Sequence, residues 1–407
     1  MTIHPLHPVG LRAQPAIAFR AVLPLSLYIH IPWCVRKCPY CDFNSHEART
    51  TIPEQAYIAA LLRDLELALP QIWGRKVRSV FFGGGTPSLL SGAGIAEIMR
   101  QLCTLLPLTH DAEITLEANP GTVEAARFEA YRDAGINRLS LGIQSFNDGH
   151  LKALGRIHSA DEARRAIATA QHYFDNFNLD LMYGLPQQTL AGAVRDVETA
   201  LSFAPQHLSC YHLTLEPNTR FYHEPPQLPD EDASSDMQQG IEELLASQGF
   251  EHYETSAFAR PGKRSRHNLN YWEFGDYLGI GAGAHSKLSF PDRVERQMRH
   301  KQPQAYLDGV ACGEPVQTVQ AVTADELPFE FMMNALRLNQ GFNPELFEFR
   351  TGLSLLKIRS ELAQAESRGL LLREIDRIAP TRLGQRFLNE LLQIFLAAED
   401  QIPHAVA

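Results

Sequence analysis

Residues 25–41 read LSLYIHIPWCVRKCPYC, a β-rich run from Leu25 to Ile31 followed at once by Cys34, Cys38 and Cys41 on one short loop. Three thiolates at that spacing can embrace a cube-shaped [4Fe–4S] cluster, whereas a cluster held wholly by protein needs a fourth cysteine. No nearby position supplies one. One iron is therefore left open. The amine and carboxylate of an amino acid, such as the methionine part of S-adenosylmethionine, can chelate it. A zinc site completed by His30 or His46 is the competing reading of the same loop. It is the weaker one, because zinc knuckles pair two close ligands with two distant ones and do not crowd three cysteines together.

Outward from this loop, short β-rich runs alternate with helical patterns as far as about Leu213. The strands expected after LSLYIHI (25–31) are VRSVFF (77–82), EITLEA (113–118), NRLSLGI (137–143), FNLDLMY (177–183) and HLSCYHL (207–213). Between them apolar residues fall at helical spacing, as at Tyr57, Ile58, Leu61, Leu62, Leu65 and Leu69 behind Pro53. Similar patterns cover about 91–106, 122–134, 159–173 and 189–202. Such repetition calls for parallel strands joined by right-handed crossovers. Six units of this kind fit an α/β fold built as an incomplete (β/α)6 barrel better than an open doubly wound sheet.

The polar and glycine-rich segments all fall at strand carboxyl ends. They are the cysteine loop, Gly83-Gly84-Gly85-Thr86, Glu117-Ala118-Asn119-Pro120, Gln144-Ser145-Phe146-Asn147, Asp180 to Pro186, and Glu216-Pro217-Asn218-Thr219. In β/α barrels these ends converge on one face, where active sites are built.

The 407 residues divide into a flexible leader (1–24), the barrel (25–250), a barrel extension rich in glycine and aromatics (251–320) and a mostly helical C-terminal domain (321–407). FEHYETSAF at the head of the extension reads as one strand. In the last domain GLLLREIDRIAPT suggests a small hairpin between helices, which makes it winged-helix-like. Residues 344–386 carry eight basic and six acidic side chains with no basic stripe, which favours packing or partner docking over DNA binding. A net charge of −10 also disfavours non-specific grip on nucleic acid or an anionic membrane. No apolar run approaches the roughly 18 residues of a membrane span. The N-terminal stretch is too broken by proline for a signal-peptide core, so a cytoplasmic protein is expected. The remaining cysteines, Cys103, Cys210 and Cys312, are scattered singly and form no disulfide framework. Apolar neighbours lead us to expect buried, inert thiols at Cys103 and Cys210.

The cysteine loop and the motifs after it, in this order, resemble the radical S-adenosylmethionine superfamily. Tyr28-Ile29-His30-Ile31-Pro32-Trp33-Cys34 is similar to the group that includes oxygen-independent coproporphyrinogen III dehydrogenase, and the resemblance runs over some nine-tenths of the chain. It implies a reduced cluster that cleaves S-adenosylmethionine to methionine and a 5′-deoxyadenosyl radical. It also implies that Gly84, with Gly85 and Thr86 close by, contacts the methionine amine, and that Glu117 holds the cofactor's ammonium or ribose hydroxyls. Gln144, Arg156 and Asp180 match positions that contact a cofactor in the dehydrogenase branch, and Tyr28 and Tyr40 match residues lining the same cavity. The run Gly279-Ile280-Gly281-Ala282-Gly283-Ala284 follows no βαβ strand and is expected to be close-packed backbone, not a dinucleotide fingerprint.

Two departures separate the branches. The dehydrogenases carry a further cysteine two residues after the third ligand, where this chain has Phe43. In addition, His267-Asn268-Leu269-Asn270-Tyr271-Trp272 matches the H-N-x-x-Y-W signature of the haem chaperone branch. Histidine is a standard axial ligand to haem iron, so the resemblance implies His267 as haem ligand. Lys263, Arg264 and Arg266 are then expected to pair with propionates. The expected function is a haem chaperone that binds a [4Fe–4S] cluster, S-adenosylmethionine and haem. It passes the haem to an acceptor protein, plausibly a membrane respiratory enzyme, and needs an electron donor for the cluster. Coproporphyrinogen III decarboxylation, radical methyl transfer and a zinc-stabilised structural role are the alternatives.

Overall fold

The computed structural model describes residues 17–48, 51–122 and 125–396. Six parallel strands form its centre: β1 (Leu25–Ile31), β2 (Val77–Gly84), β3 (Leu108–Ala118), β4 (Arg138–Gln144), β5 (Phe177–Tyr183) and β6 (His207–His212). The crossovers carry α1 (Glu54–Ile72), α2 (Gly92–Leu105), α3 (Ala125–Asp133), α4 (Ala160–Tyr173) and α5 (Leu190–Leu201). β1 is buried at six of its seven positions, the nearly unbroken apolar run of a strand covered on both faces. α1 buries Tyr57, Ile58, Leu61 and Leu65 against the sheet, and α4 opens on a capping box between Ser159 and Glu162.

After α6 (Glu231–Ser247) come β7 (Glu251–Glu254), β8 (Ala257–Ala259), α7 (Arg266–Trp272), β9 (Asp276–Ile280), β10 (His285–Phe290), β11 (Arg293–Arg299) and β12 (Val316–Val322). The twelve strands lie in the order β12-β11-β10-β9-β1-β2-β3-β4-β5-β6-β8-β7. The order does not close on itself, so the barrel is incomplete. β9 joins β1 in parallel, and β10 to β12 continue antiparallel from it.

Four details differ from the sequence reading. β3 begins at Leu108 rather than Glu113. FEHYETSAF is two antiparallel strands, because the Glu254 carboxylate accepts from the backbone N–H of Ser256 at 3.2 Å and closes a turn there. Cys210 is buried but Cys103 is exposed. α2 buries Ile95, Ile98, Met99 and Leu102, and one residue further turns the helix by about 100° away from that stripe. Of the expected leader, residues 1–16 lie outside the described residues, while Ile17 and Leu23 are buried. Ala18 donates to the Gly352 carbonyl and Phe19 to that of Pro291.

The main core lies between the sheet and its outer helices. A second core, centred on Phe331, Phe342 and Phe347, holds the C-terminal region and takes in Ile17. Its helices Leu327–Ala335, Pro344–Thr351 and Arg359–Ser367 are followed by the small hairpin Leu371–Arg373 and Ile378–Pro380.

Candidate functional site

The cysteine loop is held at both ends by backbone. Cys34 closes a two-residue strand with Trp33 that pairs with His46–Glu47, and Ala48 donates to the Cys34 carbonyl at 2.8 Å. Inside the loop Lys37 Nζ donates to the carbonyls of Phe43 and Ser45 at 3.2 and 3.3 Å. Asn44 Nδ2 donates to Ala282 and Lys301 carbonyls at 3.0 and 2.9 Å, while His30 Nε2 bonds the Asn44 carbonyl at 2.8 Å. The glycine run at 279–284 is the surface on which the loop rests. A Cβ on Gly281 would strike the His30 carbonyl, and one on Gly283 the Asn44 side chain.

All three cysteines line one cavity of about 450 Å³ at the carboxyl ends of the strands. Their thiols make only long contacts, Thr86 Oγ1 to Cys34 Sγ at 3.6 Å, Arg156 Nη1 to Cys38 Sγ at 3.8 Å and Cys41 Sγ to Ser45 Oγ at 3.9 Å. Three partly exposed thiols without strong partners fit the ligand set of a cluster with one open iron.

Tyr40, Gly84, Gly85, Thr86, Glu117, Gln144, Arg156 and Asp180 line the same cavity. Gly84 has φ 115° and its N–H points at Glu117 Oε2, 3.3 Å away. A Cβ there would meet the His30 ring, so only glycine brings the backbone this close. Arg156 is held by the Gly142 carbonyl at 2.8 Å and by Asn119. Burial, with repulsion from Asp180, pushes the Glu117 carboxyl up to about 8, so it holds a proton at neutral pH. Asp180 is also raised by burial, partly offset by hydrogen bonds from Asn178 and Ser140 at 2.7 and 3.0 Å. Tyr28 is not among the lining residues. Its hydroxyl bonds His30 Nδ1 at 3.0 Å, and burial keeps its phenol neutral.

The H-N-x-x-Y-W segment lies in α7, and of its residues Asn268 lines the cavity. His267 is 3% exposed and does not line the cavity. Its ring stacks on Phe81 with centroids 4.7 Å apart and its Nδ1 is bonded to Ser79 Oγ at 3.1 Å. Burial lowers its pKa to about 3, so the imidazole is neutral. Arg264 and Arg266 are already paired outside the barrel, with Glu251 at 2.9 Å and Asp111 at 2.7 Å. Arg138 also enters the cavity, beside Arg36 and Arg156, and the sequence reading missed it. Its signal was present: it shares the period-two face of β4 with Ser140, Gly142 and Gln144.

A partial barrel whose strand ends carry a three-cysteine loop and a glycine-rich segment on one cavity has the features of a radical S-adenosylmethionine protein. The Radical SAM superfamily model matches residues 28–200, and the HemN C-terminal domain model matches residues 322–387. The haem chaperone HemW of Haemophilus influenzae is 49% identical over 382 residues, spanning 92% of this chain and 99% of that protein. HemW of Escherichia coli is 49% identical over 376 residues, with 92% and 98% covered. Among solved structures, Escherichia coli coproporphyrinogen III oxidase (HemN), a radical SAM enzyme, superposes with a TM-score of 0.78 at 25% identity, over 92% of this chain and 90% of that one. The chain belongs to the HemW family of radical SAM proteins. A [4Fe–4S] cluster and S-adenosylmethionine are the cofactors of that superfamily. Among the described residues no helix is long and apolar enough to cross a membrane.

Proposed function

We propose that this chain is a cytoplasmic haem chaperone. Cys34, Cys38 and Cys41 hold the cluster, and Gly84, Gly85, Thr86, Glu117, Gln144, Arg156 and Asp180, with Tyr28 and Tyr40 nearby, hold S-adenosylmethionine. Haem is taken up against α7, with His267 as axial ligand, and passed to an acceptor such as a membrane respiratory enzyme. An electron donor protein reduces the cluster. The observation that carries this reading is the single cavity that runs from the cysteine loop to Asn268 of α7. Asn268 and the cysteine loop thus share one space, which supports the reading. With Nδ1 engaged by Ser79, Nε2 is the ring nitrogen left for iron. The names of the relatives support the reading independently. At the mouth, Phe43 stands 62% exposed where the dehydrogenase branch has its further cysteine.

The likeness to HemN over nine-tenths of the chain favours one other reading, oxidative decarboxylation of coproporphyrinogen III. A zinc-stabilised structural role has no such support. His30 uses both ring nitrogens on Tyr28 and Asn44. The test is a haem titration of reconstituted wild type and His267→Ala, read by absorbance. Weakened haem binding by the variant is expected, and equal binding would remove His267 as ligand.

A further inference from the structure

Arg138 opens β4 with its side chain inside the barrel. It is 2% exposed, and it lines the cavity. Among the described residues it has no ion-pair partner, and its Nε is buried without a hydrogen bond. A guanidinium cannot shed its charge, and a buried charge left uncompensated is costly. Four carboxyl residues line the cavity, Asp42, Glu117, Asp180 and Glu216; Glu117 and Asp180 feel the charge of Arg138, but none of the four forms an ion pair with it. Asp180 is bonded by Asn178 and Ser140, and Glu117 faces the Gly84 N–H.

The backbone of Arg138 enters the barrel far from the cysteine loop. It lies four residues before Gly142, whose carbonyl holds Arg156 beside Cys38. At the rise of a strand the backbones of Arg138 and Gly142 are about 13 Å apart. Arg138 pairs with Thr115, two residues from the Glu113 that holds the first turn of α7, and its charge is felt by His267. We propose that Arg138 is an anchor for a carboxylate of the tetrapyrrole cargo, a haem propionate, inside the barrel. The guanidinium fork suits a carboxylate in a bidentate pair. This inference rests on the haem reading above and adds a second point of attachment to it.

The experiment compares haem with haem dimethyl ester, whose propionates carry no charge. Both are titrated into the full chain reconstituted with cluster and S-adenosylmethionine, as wild type, Arg138→Gln and Arg138→Lys. Wild type is expected to bind haem at least tenfold more tightly than the ester. Arg138→Gln should bind both at the ester's level, and Arg138→Lys should fall between. Iron content and S-adenosylmethionine binding should be unchanged in the variants. Haem binding that ignores both the ester and Arg138→Gln would overturn the anchor and leave the haem reading standing. Loss of S-adenosylmethionine binding in Arg138→Gln, with the preference for haem retained, would overturn it by assigning the site to the cofactor. Should Arg138→Gln fail to fold, equal affinity of wild type for haem and ester would overturn it alone. Failure of wild type to bind either would overturn the anchor and the haem reading together.

Discussion

The Glu113 carboxylate accepts a hydrogen bond from the backbone N–H of His267 at 3.1 Å, and another from that of Arg266 at the same distance. An acid on β3 thus satisfies the first orphan donors of α7 and favours the positive end of its dipole. α7 is only seven residues long, too short to persist by its own propensity. Glu113→Ala should cost about 0.5–2 kcal/mol, the range of a lost helix cap. Thermal unfolding measures this, and Glu113→Gln should recover part of the loss.

Asp64 and Arg299 form an ion pair at 3.1 Å in which both side chains are almost fully buried. Asp64 also accepts from the Tyr306 hydroxyl at 2.9 Å and the Gly281 N–H at 3.3 Å. Asp64→Ala leaves Arg299 buried without its partner and should cost about 3–5 kcal/mol in denaturant unfolding. Because Gly281 supports the cysteine loop, iron retained after reconstitution should fall with it.

Gly283 has φ +77° and its would-be Cβ meets the Asn44 side chain. Gly283→Ala therefore carries backbone strain of about 1–3 kcal/mol and displaces the residue that pins the cysteine loop to Ala282 and Lys301. Iron and sulfide content of the reconstituted variant should drop, while the far-ultraviolet spectrum of the barrel stays that of wild type.

Stability of the cluster-free protein should be lost on both sides of neutrality, for different reasons. Glu117 is raised to about 8 in the folded state, above its usual carboxyl value. Folding there takes up a proton, so stability falls as pH rises and the loss is complete only above about pH 8. His30 and His267 are lowered to about 4 and about 3. The unfolded chain protonates them first, so stability also falls as pH drops below about 6.5. Between pH 7 and 8 the histidine contribution is flat. In that window the melting temperature of wild type should decline, and that of Glu117→Gln should decline less.

The parallel barrel strands were legible because each is a short apolar run between helical patterns, and β1 and β5 fall at the residues expected. The site was legible because a barrel gathers strand ends on one face, so motifs scattered from Cys34 to Asp180 come to line one cavity. What escaped the sequence were contacts between distant segments. DYLGI at β9 lies in a stretch read only as rich in glycine and aromatics, and its pairing with β1 is set by tertiary packing. The basic run before His267 suggested propionate partners, yet Arg264 and Arg266 meet Glu251 and Asp111 on the outside. Arg138, the one charge in an apolar strand, instead faces the cavity.

The most direct test of haem handling against haem synthesis is the fate of a tetrapyrrole offered to the reconstituted protein with S-adenosylmethionine and a reductant. Coproporphyrinogen III is incubated and the products are separated by chromatography, beside a parallel sample given haem. A haem chaperone leaves coproporphyrinogen III unchanged and retains haem through gel filtration. Conversion to protoporphyrinogen IX would contradict it.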